Sequence, residues 1–343
     1  MNKSNLEIKL TFITGLREIV LNEISRYPSL RVIREDTDSL YLDFVRDLSK
    51  IKHLRSVSRA YITVQDSKYN PFYISNHKSI LSNLIKITID GSKDAFKSFK
   101  IICAGSDSPE VRSIAEYIQD TYKFAEKEEA DLKIHIVKPD DVWEVGIQIT
   151  PRPLSLRDYK VVNMSGAMDP TIAYGMNSLC KLENATSYLN VFSGSATLLI
   201  EAGQCFPNLK RLVGFDHNIK SISLAIQNIK KAGLVRRIQL KEKDIFDKPD
   251  LGKFDVITSD LPFGMSVLKG EDLKKLYQCF IEYCQETLDE GGRLATYTSE
   301  HEMLKEIISK SKFKIIKTME LKFITSVNAY LRPKIFMCKL KQS

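Results

Sequence analysis

The sequence predicts an α/β protein whose C-terminal half is a doubly wound parallel sheet, preceded by two smaller α+β units. Three observations predict it. From residue 169 onward, short apolar runs of strand length alternate with helix-length amphipathic stretches. Before residue 150 the strand candidates instead alternate apolar and polar residues, as in sheets with one wetter face. Between the two textures, Pro151-Arg152-Pro153 breaks the pattern. A chain of 343 residues is also too long for one ordinary hydrophobic core.

The first unit, residues 1–64, starts with an alternating strand at 6–12. Gly15-Leu16 then opens a helix whose apolar positions are Ile19, Val20 and Ile24. Strands at 30–33 and 40–44 flank the turn Asp36-Thr37-Asp38-Ser39, and a helix at 47–53 leads to a strand at 58–64. This β-α-β-β-α-β order is the ferredoxin-like arrangement. The second unit, residues 65–150, holds a helix near 76–87, a strand at 98–104 and a helix at 108–122. Two alternating strands, 132–137 and 142–149, close it around Pro139-Asp140-Asp141.

Residues 151–168 form a linker, and 169–343 the parallel domain. Its helix at 169–181 precedes a strand at 188–192. Strands at 212–216, 238–240, 254–260 and 292–298 then alternate with helices at 197–204, 221–231 and 273–288. That alternation is the signature of a Rossmann-like sheet with helices on both faces. Residues 312–317 and 335–340 read as a closing strand pair.

Composition excludes several classes. No apolar run approaches the ~18 residues needed to span a bilayer, and the N-terminus lacks the apolar core of a signal peptide, so a cytoplasmic protein without membrane contact is expected. The six cysteines form no C-x-x-C pair, and no histidine lies at zinc-finger spacing from two of them. Reduced thiols and no metal are therefore expected. The net charge of +8 favours a polyanionic partner.

The chemistry gathers at predicted strand ends, the edge where open α/β sheets bind ligands. Asn190-Val191-Phe192-Ser193-Gly194-Ser195-Ala196-Thr197 lies between the first strand of the parallel domain and its helix. A small-residue turn there lets the backbone approach a ligand and presents the amides of a helix N-terminus. The G-x-G-x-x-G of a dinucleotide site is absent. Asp216, followed by His217, ends the second strand, where a carboxylate can accept both ribose hydroxyls of an adenosine cofactor. Asp244, followed by Ile245, ends the third, positioned to accept from an adenine amino group. Ser259-Asp260-Leu261-Pro262-Phe263-Gly264 ends the fourth. An amino nitrogen conjugated to a purine is a poor nucleophile. A carboxylate and a backbone carbonyl can each accept one of its hydrogens and so orient its lone pair. Pro262 stiffens the loop and Phe263 offers a stacking face. A sulfonium methyl donor is already activated, so positioning matters more than acid–base power.

With these residues in place, the sequence resembles the THUMP-domain class of RNA guanine-N2 methyltransferases, particularly those acting in the acceptor stem of tRNA. Asp260 to Phe263 match the family's Asp/Asn-x-Pro-Phe/Tyr catalytic motif, and residues 193–202 are similar to its methionine-binding segment. Residues 153–160 look like its linker, 169–176 like the helix over the cofactor, and 14–20 like the opening helix of its ferredoxin-like domain. The resemblance implies a class I methyltransferase domain at 169–343, a THUMP module at 65–150, S-adenosylmethionine as cofactor, tRNA as partner, and a monomer. It implies catalytic roles for Asp260, Leu261, Pro262 and Phe263. Cofactor contacts are implied at Asn190, Phe192, Ser193, Gly194, Ser195, Thr197, Asp216, His217, Asp244, Ile245 and Asp260. Lys93, Lys97 and Lys100, interleaved with Phe96 and Phe99, are expected to contact RNA, as is Arg157 in the linker.

Two departures stand out. Asn190-Val191 occupies the family's Asp-Pro position, and Ala196 replaces a glycine. Two other readings follow: methylation of an amino group in another nucleic acid (rRNA, snRNA or DNA), and a non-catalytic RNA-binding protein with a degenerate cofactor pocket.

Overall fold

The computed structural model describes residues 6–65, 70, 73, 77–91, 96–104, 108–162, 164, 166–263, 271–326 and 329–341. Lys93 and Gly264 lie outside the described residues. Two compact units are present: Met1–Phe12 with Val20–Ser155, and Ile13–Ile19 with Leu156–Ser343.

The first unit is built on one eight-stranded sheet. Its leading strands are β1 (Leu6–Thr11), β2 (Val32–Glu35), β3 (Ser39–Asp43) and β4 (Arg59–Gln65). They lie in the order β2-β3-β1-β4, with every pairing antiparallel, as the ferredoxin-like expectation requires. The remaining strands are β5 (Ser98–Cys103), β6 (Ala125–Glu126), β7 (Leu132–Val137) and β8 (Glu144–Gln148). They continue the same sheet as β8-β7-β5-β6, because β4 pairs with β8 in a register that sets Ile62 opposite Ile147. Without β8, β4 would expose a row of unpaired N–H and C=O groups; β8 supplies their partners. Glu144, buried on β8, ties the strands together through its side chain. Lys9 Nζ donates to its Oε1 at 2.6 Å and Tyr41 Oη to its Oε2 at 2.9 Å.

The second unit carries a seven-stranded sheet. In chain order its strands are β9 (Ser187–Val191), β10 (Arg211–Asp216), β11 (Ile238–Glu242), β12 (Phe254–Asp260), β13 (Leu288–Thr298), β14 (Phe313–Glu320) and β17 (Lys334–Leu340). A separate hairpin, β15 (Phe323–Ser326) and β16 (Ala329–Leu331), lies between the last two. The spatial order is β11-β10-β9-β12-β13-β17-β14. The first five strands are parallel, and β17 runs antiparallel to both neighbours, giving the expected closing pair. The chain leaves β9 toward β10 and later returns to β12 on the other side. That reversal opens a crevice beyond the C-terminal ends of β9 and β12.

Helices α1 (Arg17–Ile24), α2 (Ser49–Lys52), α3 (Ser82–Asp90) and α4 (Pro109–Tyr122) come earlier in the chain. Helices α5 (Pro170–Leu179), α6 (Thr197–Cys205), α7 (Ile219–Lys231), α8 (Glu271–Thr287) and α9 (His301–Ser309) cover this sheet. Asp169 caps α5, accepting from the Thr171 amide at 2.7 Å, with Pro170 in the first turn. Strand residues Val191, Phe215, Ile257 and Leu294 share one core with Tyr277, Phe280 and Cys284 of α8 and with Leu304 and Ile308 of α9. Each such side chain, fully withdrawn from water, contributes roughly 1.5–3 kcal/mol before entropy is counted. This packing fixes the strand ends.

Candidate active site

The turn after β9 winds through three left-handed residues, Phe192 (φ 56°), Gly194 (φ 48°) and Ala196 (φ 62°). A hydrogen-bond set holds it. Ser193 N donates to Phe215 O at 3.0 Å, Ser193 Oγ to Asn190 O at 3.0 Å, and Ala196 N to Ser193 O at 2.7 Å. No neighbouring atom lies within 4 Å of where a Gly194 Cβ would stand, so the backbone faces open space. Beneath it, Gly214 on β10 is closely approached: a Cβ there would sit 2.4 Å from Ser193 Oγ and 2.4 Å from Leu199 Cδ1. An isolated glycine in a strand signals such an approach, and that signal was legible in the sequence.

Asp216 ends β10 as expected. Its Oδ2 accepts the Gly194 amide at 2.9 Å and its Oδ1 the Asn218 amide at 3.0 Å. His217 is exposed beside it, its Nδ1 3.7 Å from Asp216 Oδ1. Asp244 caps a short helical turn, accepting the Phe246 amide at 2.9 Å through Oδ1. Asn190 is fully buried under the turn. Its amide nitrogen donates to Thr258 O at 3.1 Å, stitching β9 to β12, and its Oδ1 has no partner among the described residues. Asn190 therefore supports the turn from below rather than lining its open side.

At the end of β12 the loop Asp260 to Phe263 is pinned on two sides. Leu261 N donates to Tyr297 O at 3.0 Å, and Tyr277 Oη to Pro262 O at 2.8 Å. The Phe263 ring meets Tyr297 edge-on, with centroids 5.8 Å apart. Burial pushes the Asp260 carboxyl up to about 7.

These elements line one cavity of ≈ 290 Å³. Phe192, Ser193, Gly194, Ser195 and Thr197 line it together with Asp216 and with Asp260 to Phe263. An adjoining cavity of ≈ 190 Å³, sharing Phe192 and Pro262, is lined by His217, Asp244, Ile245 and Phe246. Met164, Gly166, Ala167 and Met168 of the linker also line the first cavity. The sequence reading missed them, because nothing in their spacing marks them. Asn228 of α7, fully buried, anchors this strap. Its Oδ1 accepts the Val161 amide at 3.1 Å and the Val162 amide at 3.2 Å, while its Nδ2 donates to Ser195 O at 3.4 Å.

The expected RNA contacts are placed differently from one another. Lys97 is exposed. Lys100 is paired with Glu128. Arg157 is buried, its Nε donating to Glu201 Oε1 at 3.0 Å, an atom that also accepts from Tyr159 Oη at 2.8 Å. Arg157 therefore fastens the linker to α6. Among the described residues, no His, Cys, Asp or Glu cluster is arranged to hold a metal, and no helix is long and apolar enough to cross a membrane.

Comparison with known proteins fits this arrangement. Residues 157–327 match the family model described as UPF0020, RMKL-like, methyltransferase domain. The chain is 31% identical over 172 residues to a Bos taurus protein named U6 snRNA (guanine-N(2))-methyltransferase THUMPD2, covering 50% of this chain and 32% of that one. It is 26% identical over 267 residues to the tRNA (guanine(10)-N2)-dimethyltransferase of Methanothermobacter thermautotrophicus, covering 71% of this chain and 75% of that relative. The chain thus spans only about a third of the length of the U6 relatives it matches. Among solved structures, TrmN from Thermus thermophilus superposes with a TM-score of 0.76 at 20% identity, covering 98% of this chain and all of that one, which shows a shared fold. Residues 157–327 thus belong to the RMKL-like methyltransferase domain of UPF0020, and the chain is similar to proteins named as guanine-N2 methyltransferases of tRNA and U6 snRNA.

Proposed function

We propose that this chain transfers a methyl group from S-adenosylmethionine to the exocyclic N2 of a guanosine in RNA, with the acceptor stem of tRNA as its target. The observation that carries the reading is that Asp260 to Phe263 and the Gly194–Asp216 pair line a single cavity. Guanine-N2 methylation is the activity printed for relatives on both tRNA and snRNA, which supports the base and the polymer class.

The residues fit the cofactor. Two joined cavities sharing Phe192 and Pro262 suit an elongated ligand with an amino-acid end and an adenosine end. The open face at Gly194 admits close backbone approach. The Asp216 carboxylate is set to accept ribose hydroxyls, and Asp244 and Ile245 wall the adenine end. When bound, the cofactor supplies an activated methyl group. The protein's part is positioning. Phe263 stacks on a guanine extruded from its helix, while the Asp260 carboxylate and the Leu261 carbonyl accept its two N2 hydrogens and fix the lone-pair direction. Residues 1–64 and 65–150, the ferredoxin-like and THUMP modules of this reading, grip the RNA, with exposed Lys97 at a phosphate. Residues 151–168 link them to the methyltransferase domain at 169–343.

The test is incubation with S-adenosylmethionine carrying an isotopically labelled methyl group and with separated tRNA, snRNA and rRNA fractions, followed by nucleoside mass spectrometry. Labelled N2-methylguanosine in tRNA is expected. Label confined to snRNA or rRNA refutes the tRNA assignment, and label on adenosine refutes the choice of base. No label, together with no heat on calorimetric titration with the cofactor, removes the enzyme reading altogether.

A further inference from the structure

Tyr277 is fully buried on α8, yet its hydroxyl reaches the loop that ends β12. It touches Pro262 O at 2.8 Å and Thr298 Oγ1 at 2.7 Å, and Thr298 Oγ1 accepts the Glu300 amide at 3.0 Å. The donor count fixes the direction of every bond in this chain. Pro262 O can only accept and Glu300 N–H can only donate. Tyr277 therefore gives its single proton to Pro262, and Thr298 gives its own to Tyr277. The run is one-way, from the end of β13 through α8 to the loop. Burial holds the Tyr277 hydroxyl well above its ordinary range, so it stays a donor at any working pH.

Proline has no N–H, so the carbonyl is the only backbone hydrogen-bonding group Pro262 offers. With Leu261 N–H held by Tyr297 O on the other side, both peptide units around the loop's bend are fixed. Among the described residues no hydrogen bond to the Leu261 carbonyl is present, and Leu261 lines the cavity.

We propose that Tyr277, relayed by Thr298, is a positioning residue for the methyl-transfer step: it locks the Pro262 carbonyl so that the Leu261 carbonyl and the Asp260 carboxylate hold the geometry that receives an amino group. The proposal rests on the function proposed above, and it also makes a claim about the loop that needs no substrate.

Tyr277→Phe removes the hydroxyl and keeps the ring in the core. Two readouts are paired. Hydrogen–deuterium exchange of the backbone amides at residues 260, 261 and 263, measured without RNA, is expected to accelerate about tenfold, the effect of losing one hydrogen bond. The kcat for methyl transfer is expected to fall about tenfold or more, with cofactor affinity and RNA KM unchanged, because the defect is one of orientation. Thr298→Val, which removes the relay but leaves Tyr277, is expected to move both readouts in the same direction by less, and it serves if the Tyr277 variant does not fold. Exchange at wild-type rate in both variants overturns the lock. Faster exchange with wild-type kcat overturns its role in transfer, as does a loss that appears in cofactor affinity instead of kcat. If wild-type protein methylates no RNA, the proposed function fails, while the exchange experiment still decides the lock.

Discussion

The Gly194 amide donates to Asp216 Oδ2 at 2.9 Å, so the turn after β9 and the end of β10 are one hydrogen-bonded piece. In the cofactor pose proposed above, the acid assigned to the ribose hydroxyls is also the one that holds this cavity-lining backbone. Asp216→Ala is therefore expected to damage both ends of cofactor recognition. Losing charge-assisted hydrogen bonds of roughly 1.5–3 kcal/mol should weaken S-adenosylmethionine binding about 10- to 100-fold, read by calorimetry. Unchanged affinity would remove Asp216 from the site.

Ala196 sits at φ 62°, where a side chain costs about 1–2 kcal/mol. Ala196→Gly relieves that strain but makes the unfolded chain more flexible, offsetting part of the gain. A net stabilisation of about 0.5 kcal/mol in urea denaturation is expected. Ala196→Val, with a β-branched residue at the same φ in a fully buried position, is expected to destabilise the protein and weaken cofactor binding. A stable valine variant would show that the turn adjusts.

Arg157 decides between an RNA contact and an internal tie. Its guanidinium and the Glu201 carboxylate are both buried, and removing one partner of such a pair typically costs about 3–5 kcal/mol. Arg157→Ala should lower stability by an amount of that order and leave the salt dependence of RNA binding unaltered. A shallower salt slope with intact stability would instead assign Arg157 to phosphate.

In the proposed transfer Asp260 must be ionised to accept one hydrogen of the amino group, and burial raises its carboxyl to about 7. Activity should therefore climb with pH up to about 7 and level off above it; a profile flat from pH 5 to 8 would exclude this assignment. Stability follows the opposite sign. Between the ordinary carboxyl value of 3.8 and about 7 the folded state binds more protons than the unfolded one, so the stability gained from the neutral acid is present at low pH and lost as pH rises through 7. Asp260→Asn should abolish transfer and be more stable than wild type at pH 8, as measured by denaturant midpoints.

The strand-end chemistry was legible because period and spacing are local. Short apolar runs leading to Asp216, Asp244 and Asp260 place three acids at one sheet edge. The ferredoxin-like order of residues 1–64 was legible for the same reason. What residues distant in sequence do to one another was not. Strand β8 joins β4 across some eighty intervening residues, making a continuous sheet of regions that read as two units. Arg157 reads in the sequence as an RNA contact in a linker, and only the fold sets it beside Glu201, 44 residues on.

The loop from Ser259 to Phe263 marks the division most clearly. The sequence alone determined its residue types, its place after a parallel strand and hence the chemistry open to it, since these depend only on local pattern. Only the tertiary structure decided that Asp260 is desolvated, that Tyr277 and Tyr297 fix the loop from either side, and that Asn190 lies beneath the turn after β9. Burial and hydrogen-bond partners are set by packing between elements far apart in the chain, and no window of sequence contains them.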